Sequence, residues 1–150
     1  MLDYQEFLNF SMECNAHYRA LLSFEMKKMK MIHDDDIDSL GKALPEEQAL
    51  VMKSNSLEKR RADILGAENA SKTFKDIVDE APLLYKHRLD NQYKELCELI
   101  GKIKEINDMA AVIINSRLAK MGGKHELDTY DGRGGVSKTN GAEKHTTFNA

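Results

Sequence analysis

Residues 83–121 read LLYKHRLDNQYKELCELIGKIKEINDMAAVIINSRLAKM, and the reading of this stretch decides the fold. It reads as one long helix. Pro82 stands at the start, where a missing N–H is tolerated because that position has no intrahelical partner, and Gly122-Gly123 supplies a left-handed stop. At about 1.5 Å per residue, the 39 residues would span roughly 58 Å. A compact sphere of this chain length needs no rod so long, so the molecule is expected to be elongated.

The apolar residues of this helix fall on two adjacent seams. The first runs Leu89, Leu96, Leu99, Ile103, Ile106, Ala110, Ile113; the second runs Tyr93, Cys97, Ile100, Ala111, Ile114, Leu118, Met121, interrupted by Lys104 and Asn107. One seam suits a single helical partner, whereas two side by side call for at least two neighbours packed in heptad-like fashion. Covering about ten such side chains contributes roughly 15 to 30 kcal/mol gross, before conformational entropy is subtracted.

The whole chain sets bounds on where those partners come from. Its 150 residues, 41% apolar and 31% charged, suffice for one domain with a sizeable core, and a composition with two prolines and no tryptophan favours helices over sheet. A net charge of −3 with interspersed signs gives no field that would draw in a phosphate backbone, which excludes nucleic acid as the expected partner. The longest apolar run, residues 109–114, is far shorter than the roughly 18 residues a bilayer helix needs. Together with acids instead of a basic start in MLDYQEFLNF, this predicts no membrane insertion and a cytoplasmic location. Cys14 and Cys97 read as two small buried hydrophobes, not as a disulfide, in that reducing setting.

Taken in order, residues 2–33 carry Tyr4, Phe7, Leu8, Cys14, Tyr18, Leu21, Leu22, Met29 and Ile32 at helical spacing, with a lysine-rich last turn suited to the negative end of the helix dipole. Asp34-Asp35-Asp36 supplies a turn and an N-cap. A second helix is predicted over residues 37–65, antiparallel to the first, with a kink or short break where Pro45 removes a hydrogen bond. Ser71 or Thr73 caps a two-turn helix that carries Phe74, Ile77 and Val78 and plugs one end of the bundle. After Met121 come six of the nine glycines and almost no aliphatic side chain. Such a segment cannot bury enough surface to offset the ordering of its backbone, and Leu127, Tyr130, Val136 and Phe148 are its only sizeable apolar groups. The expected fold is all-α: an elongated antiparallel helical bundle or coiled coil of three long helices plus one short helix, with a flexible C-terminal tail. The domain division is a helical bundle over 1–121 and a glycine-rich tail over 122–150.

Motifs for chemistry are sought without success. Counting from Asp34, an EF-hand loop would need glycine where Ser39 stands and a bidentate glutamate where Pro45 stands. GRGGVSKT at 132–139 nearly matches a P-loop, but Ser137 replaces the glycine before the lysine, and no strand–helix context is predicted around it. A di-iron bundle needs two Glu-x-x-His pairs and the chain has none; Glu13 and His17, four apart, read as an exposed pair. No nucleophile elbow or Cys–His neighbourhood is present. The expectation is a protein without catalytic residues, metal or cofactor.

Four blocks together carry a resemblance: YRALLSFEMKKMKMIHDDDIDSL from Tyr18, EEQALVMKSNSLEKRRADIL from Glu46, FKDIVDEAP from Phe74, and KEINDMAAVIINSRLAKM from Lys104. In order and loop length they resemble FlgN-type flagellar export chaperones. Tyr18, Leu21, Leu22, Glu25, Lys27-Lys28, the acidic turn, Glu47-Gln48, Leu57-Glu58, Arg60 or Arg61, and Asn107 fall where that family's pattern places them. Pro45 and Ala110 depart from it; many members carry a second asparagine at the latter position. The resemblance implies a cytosolic chaperone that binds the C-terminal helices of the hook-filament junction proteins FlgK and FlgL, prevents their premature association and delivers them to the flagellar type III export gate. On that reading Ile103, Ile106, Asn107, Ala110, Ala111, Ile114, Leu118 and Met121 form the client-binding surface, and Tyr130 touches the export gate protein FlhA. Two rivals remain: a structural coiled-coil protein that forms a homodimer through the same seams, and a related export chaperone for the filament cap protein.

Overall fold

The structure, a computed structural model, describes residues 1–121, 128–130 and 136–138. Helix α1 spans Tyr4–His33, α2 Ile37–Asn69, α3 Phe74–Glu80 and α4 Leu83–Lys120. Each start has a local cause. The Asp3 carboxylate accepts from the Glu6 N–H at 3.0 Å, and Asp36 accepts from the Ser39 N–H at 3.1 Å and from its hydroxyl at 2.6 Å. Thr73 and Asp76 form a reciprocal capping box on α3, and Pro82 opens α4. Between α1 and α2 the chain reverses through Asp35, whose φ of 57° lies in the left-handed region that aspartate tolerates.

Helix α1 is the spine of the molecule. Against one flank lies α2, antiparallel, joined through His17 to Ser54 at 2.7 Å and Lys28 to Glu47 at 3.0 Å. On the other flank α4 runs in the same direction as α1. The Asn15 amide donates to the Gln92 carbonyl at 3.0 Å near one end, and Arg117 donates to the Ile32 and His33 carbonyls at the other. The Cα atoms of α2 and α4 stay more than 8 Å apart throughout, and a groove lined by α1, α2 and α4 lies between them.

Helix α3 fills that groove at one end. Phe74 packs edge-on against Phe7 of α1, with ring centroids 5.1 Å apart, and lies 5.4 Å from the Tyr93 ring of α4. Leu57 and Leu65 of α2, Ile77 and Val78 of α3, and Leu89 and Leu96 of α4 complete one continuous core at this end. The predicted plug is therefore present, and the core is concentrated around it.

Three features differ from the sequence reading. Residues around Pro45 keep helical dihedrals, and the interruption of α2 falls at Gly66, with φ 65° and ψ −178°, just past the predicted end of the helix. The carbonyl that Pro45 deprives of a donor is that of Gly41, an exposed residue open to water. Both thiols are free and Cys14 is buried as expected, but Cys97 is exposed. Glu13 and His17 do not form an exposed pair: Glu13 binds Lys53 and Arg60 across the α1–α2 interface, while His17 is buried against Ser54. Beyond α4, two three-residue strands, β1 (Asp128–Tyr130) and β2 (Val136–Lys138), pair antiparallel with Tyr130 opposite Val136. The rest of the tail, expected to be flexible, and the Gly122-Gly123 stop lie outside the described residues.

Candidate functional site

The two seams of α4 have different fates. On the first, Leu89, Leu96, Leu99, Ile103 and Ala110 are buried, while Ile106 and Ile113 are half-buried. The second is covered only in part: Tyr93, Ile100, Ala111 and Ile114 are half-buried, while Cys97, Leu118 at 38% and Met121 at 82% are exposed. The cause is geometric. Helix α1 can take one seam, and α3, seven residues long, is too short to accompany the other beyond its N-terminal half.

Where α3 no longer reaches, the groove opens into a cavity of about 330 Å³ lined by Lys28 and Ile32 of α1, Asp35 of the turn, Leu40, Leu44 and Glu47 of α2, and Ile114, Arg117 and Leu118 of α4. Five of these side chains are aliphatic. Its outer end is held by Arg117, whose guanidinium donates to the Ile32 and His33 carbonyls and to Asp35 at 3.3 Å. Those carbonyls belong to the last turn of α1, where a cation is favoured. The clasp fixes the end of α4 to the α1–α2 turn and leaves the cavity between them.

The lining also holds a buried ion pair, and further polar groups lie behind it. Lys28 and Glu47 form an ion pair at 3.0 Å with side chains 7% and 9% exposed. One turn earlier on α1, Glu25 is only 3% exposed, and burial pushes its carboxyl up to about 7 against the opposing pull of Lys28, with Glu47 raising it further. On α4, Asn107 is half-buried and its Oδ1 has no hydrogen-bond partner among the described residues. The α1–α4 pairings fix the offset between those helices at 77 to 85 residues, which sets Asn107 level with the Glu25–Lys28 turn. Among the described residues no group of three or more His, Cys, Asp or Glu side chains is placed to hold a metal ion.

Of the eight residues expected to bind a client, Ile103 and Ala110 lie in the core, Ile106, Asn107, Ala111 and Ile114 are half-buried, and Leu118 and Met121 are exposed. Ile114 and Leu118 line the cavity. The sequence reading did not assign a site role to Ile32, Leu40 and Leu44, which form the other walls, or to Glu25, Lys28 and Glu47. A signal existed for part of this. Glu25 and Lys28 stand on the α1 strip Leu21, Glu25, Lys28, Ile32, with steps of four, three and four, which is a core-facing spacing that charged residues rarely hold unpaired. The backbone of Tyr130 lies in β1, which runs close beside α4.

Over residues 1–126 the sequence matches the FlgN protein family, a span that includes all four helices. The chain belongs to that family. FlgN proteins are flagellar export chaperones for the hook-associated proteins, and the family is non-enzymatic. No curated protein and no solved structure matches this chain. In this FlgN chain no helix among the described residues is long and apolar enough to cross a membrane.

Proposed function

We propose that this FlgN chain binds the C-terminal helices of the hook-filament junction proteins FlgK and FlgL in the groove between α2 and α4, and so keeps them apart until export. The observation that carries this reading is the open second seam: Ile114, Leu118 and Met121 lack the cover that α3 gives to Tyr93. An amphipathic client helix laid beside α4 would continue the line of α3 along the groove. Ala111, Ile114, Leu118 and Met121 would touch the client from α4, with Leu40 and Leu44 facing them from α2. Ile103 and Ala110 would support the surface from beneath, and Ile106 and Asn107 would stand at its edge.

Titration calorimetry with a C-terminal FlgK peptide tests this. In the double variant Ile114→Asp, Leu118→Asp, affinity should fall at least about 100-fold, because two carboxylates would have to be desolvated under the client helix. Unchanged affinity with the fold retained would rule the surface out. Light scattering of the free protein at two concentrations tests the competing use of the same surface, a homodimer.

Delivery is proposed to proceed through Tyr130 and the export gate protein FlhA. Support comes from the resemblance of TYDGRGG to gate-contacting segments of flagellar export chaperones and from the position of β1 next to the docking helix. Tyr130→Ala should abolish pull-down of FlhA by the loaded chaperone while leaving FlgK affinity unchanged. Retained gate binding would remove this role.

A further inference from the structure

The groove is apolar along its walls but has more acceptor groups than cations near its inner end, and the imbalance says something about what fills it. Arg117 is already engaged by two backbone carbonyls and Asp35, and Lys28 by Glu47. Glu25 is then left as a second buried carboxyl facing the same ammonium, and the nearest level of α4 offers Asn107, which cannot titrate and whose Oδ1 is itself an unused acceptor. Lys27 and Glu46 pair with each other on the exposed side and do not redress the balance. One ammonium thus faces two carboxyl groups, one ionised and one protonated, with an orphaned amide oxygen level with them, at and just beyond the inner end of an apolar trough. Among the described residues no second cation acts on Glu25.

We infer that the groove selects an amphipathic helix carrying a single lysine or arginine on its apolar face, placed to reach Glu25, Glu47 and Asn107 while the aliphatic neighbours of that residue fill the trough. This rests on the client-docking reading and adds the chemistry of the client. The long stem of such a side chain suits the aliphatic walls and its head suits the acceptors at the inner end. In the free protein the Glu25 carboxyl holds its proton up to about pH 7 because burial disfavours the charge. Arrival of the cation reverses that preference, the carboxyl ionises, and its proton passes to the solvent. Docking below neutral pH is then linked to the release of one proton.

The experiment is titration calorimetry of the full chain with a C-terminal peptide of the hook-filament junction client, at about pH 6, 7 and 8 and in two buffers of different ionisation enthalpy. With the wild-type protein, affinity should rise about tenfold across that range, with nearly one proton released at the acid end. Glu25→Gln should flatten the pH profile and end the proton release, and replacing the basic residue on the peptide's apolar face by glutamine should do the same with the wild-type protein. Tight binding that is independent of pH, releases no proton and is indifferent to the peptide's basic residue overturns this inference and leaves the docking reading standing. A peptide that binds neither protein at any pH overturns the docking reading and this inference with it.

Discussion

At the scale of single residues, the buried ionisable groups make stability depend on pH in opposite senses. Glu25 holds its proton more tightly folded than unfolded, since its carboxyl is raised from 4.5 to about 7. The folded state therefore binds the extra proton between those values, and the stabilisation present below about 4.5 is lost as pH climbs through 7. Full loss is worth about 3 kcal/mol. His17 works the other way: burial first, and Lys53 second, lower its pKa below 6.5. Its neutral form suits the fold, and stability falls as pH drops from 6.5 through the lowered value. Urea midpoints measured from about pH 5 to 8 should show wild-type stability declining toward the alkaline end, and in Glu25→Gln that decline should be absent. An unchanged decline would mean that Glu25 is already ionised in the folded protein. Cys14, whose thiol is pushed up to about 12 chiefly by burial, should resist alkylation in the native state, whereas exposed Cys97 should react.

At the scale of elements, α2 is the one whose sequence and structure are in tension. A helix that continues through Pro45 gives up one backbone hydrogen bond and crowds the preceding turn, at a cost of up to about 3 kcal/mol. It persists because both of its ends are anchored: Ala43 and Glu47 are buried on the two sides of the proline, and the Lys28–Glu47 pair ties that turn to α1. Pro45→Ala should accordingly stabilise the protein by about 1 to 3 kcal/mol in denaturant unfolding without altering its helical content. A loss of stability would show that the proline sets a bend the bundle needs. The interruption falls instead at Gly66, whose dihedrals lie in a region essentially reserved for glycine, and it redirects the chain toward α3.

At the scale of the whole molecule, the two ends of the bundle are built from different materials. Around α3 the aromatic and aliphatic residues of all four helices form one core. At the far end a cavity, a buried ion pair and the Arg117 clasp replace it. A free-energy gradient along the molecule follows, because burial of apolar surface is the main favourable term and the far end has less of it. Hydrogen exchange should show the slowest amides in α1, α3 and α4 near Phe7, Ile77 and Leu89, and faster exchange in the last three turns of α4 and the first turns of α2. Addition of the client peptide should slow exchange at that second group. Uniform protection along α4 in the free protein would contradict the gradient.

Local chemistry in the sequence determined much of this protein. The caps at Asp36 and Thr73, the length of α4, the α1–α2 hairpin and the plug on Phe74, Ile77 and Val78 all follow from short-range hydrogen bonding and apolar periodicity, which act within a few residues. The excess of apolar frontage on α4 was also legible, since it depends only on the spacing of that helix's own side chains. Tertiary structure alone decided which seam is sheltered. Periodicity fixes which residues share a face but says nothing of how far apart two neighbouring helices stand, and it is the separation of α2 and α4 that leaves Ile114 and Leu118 open while Ile103 and Ala110 are enclosed. The same holds for Glu25, Lys28 and Glu47, drawn from two helices into one buried cluster. Which charges are desolvated together depends on the register between helices, and that register is set by packing along their whole length.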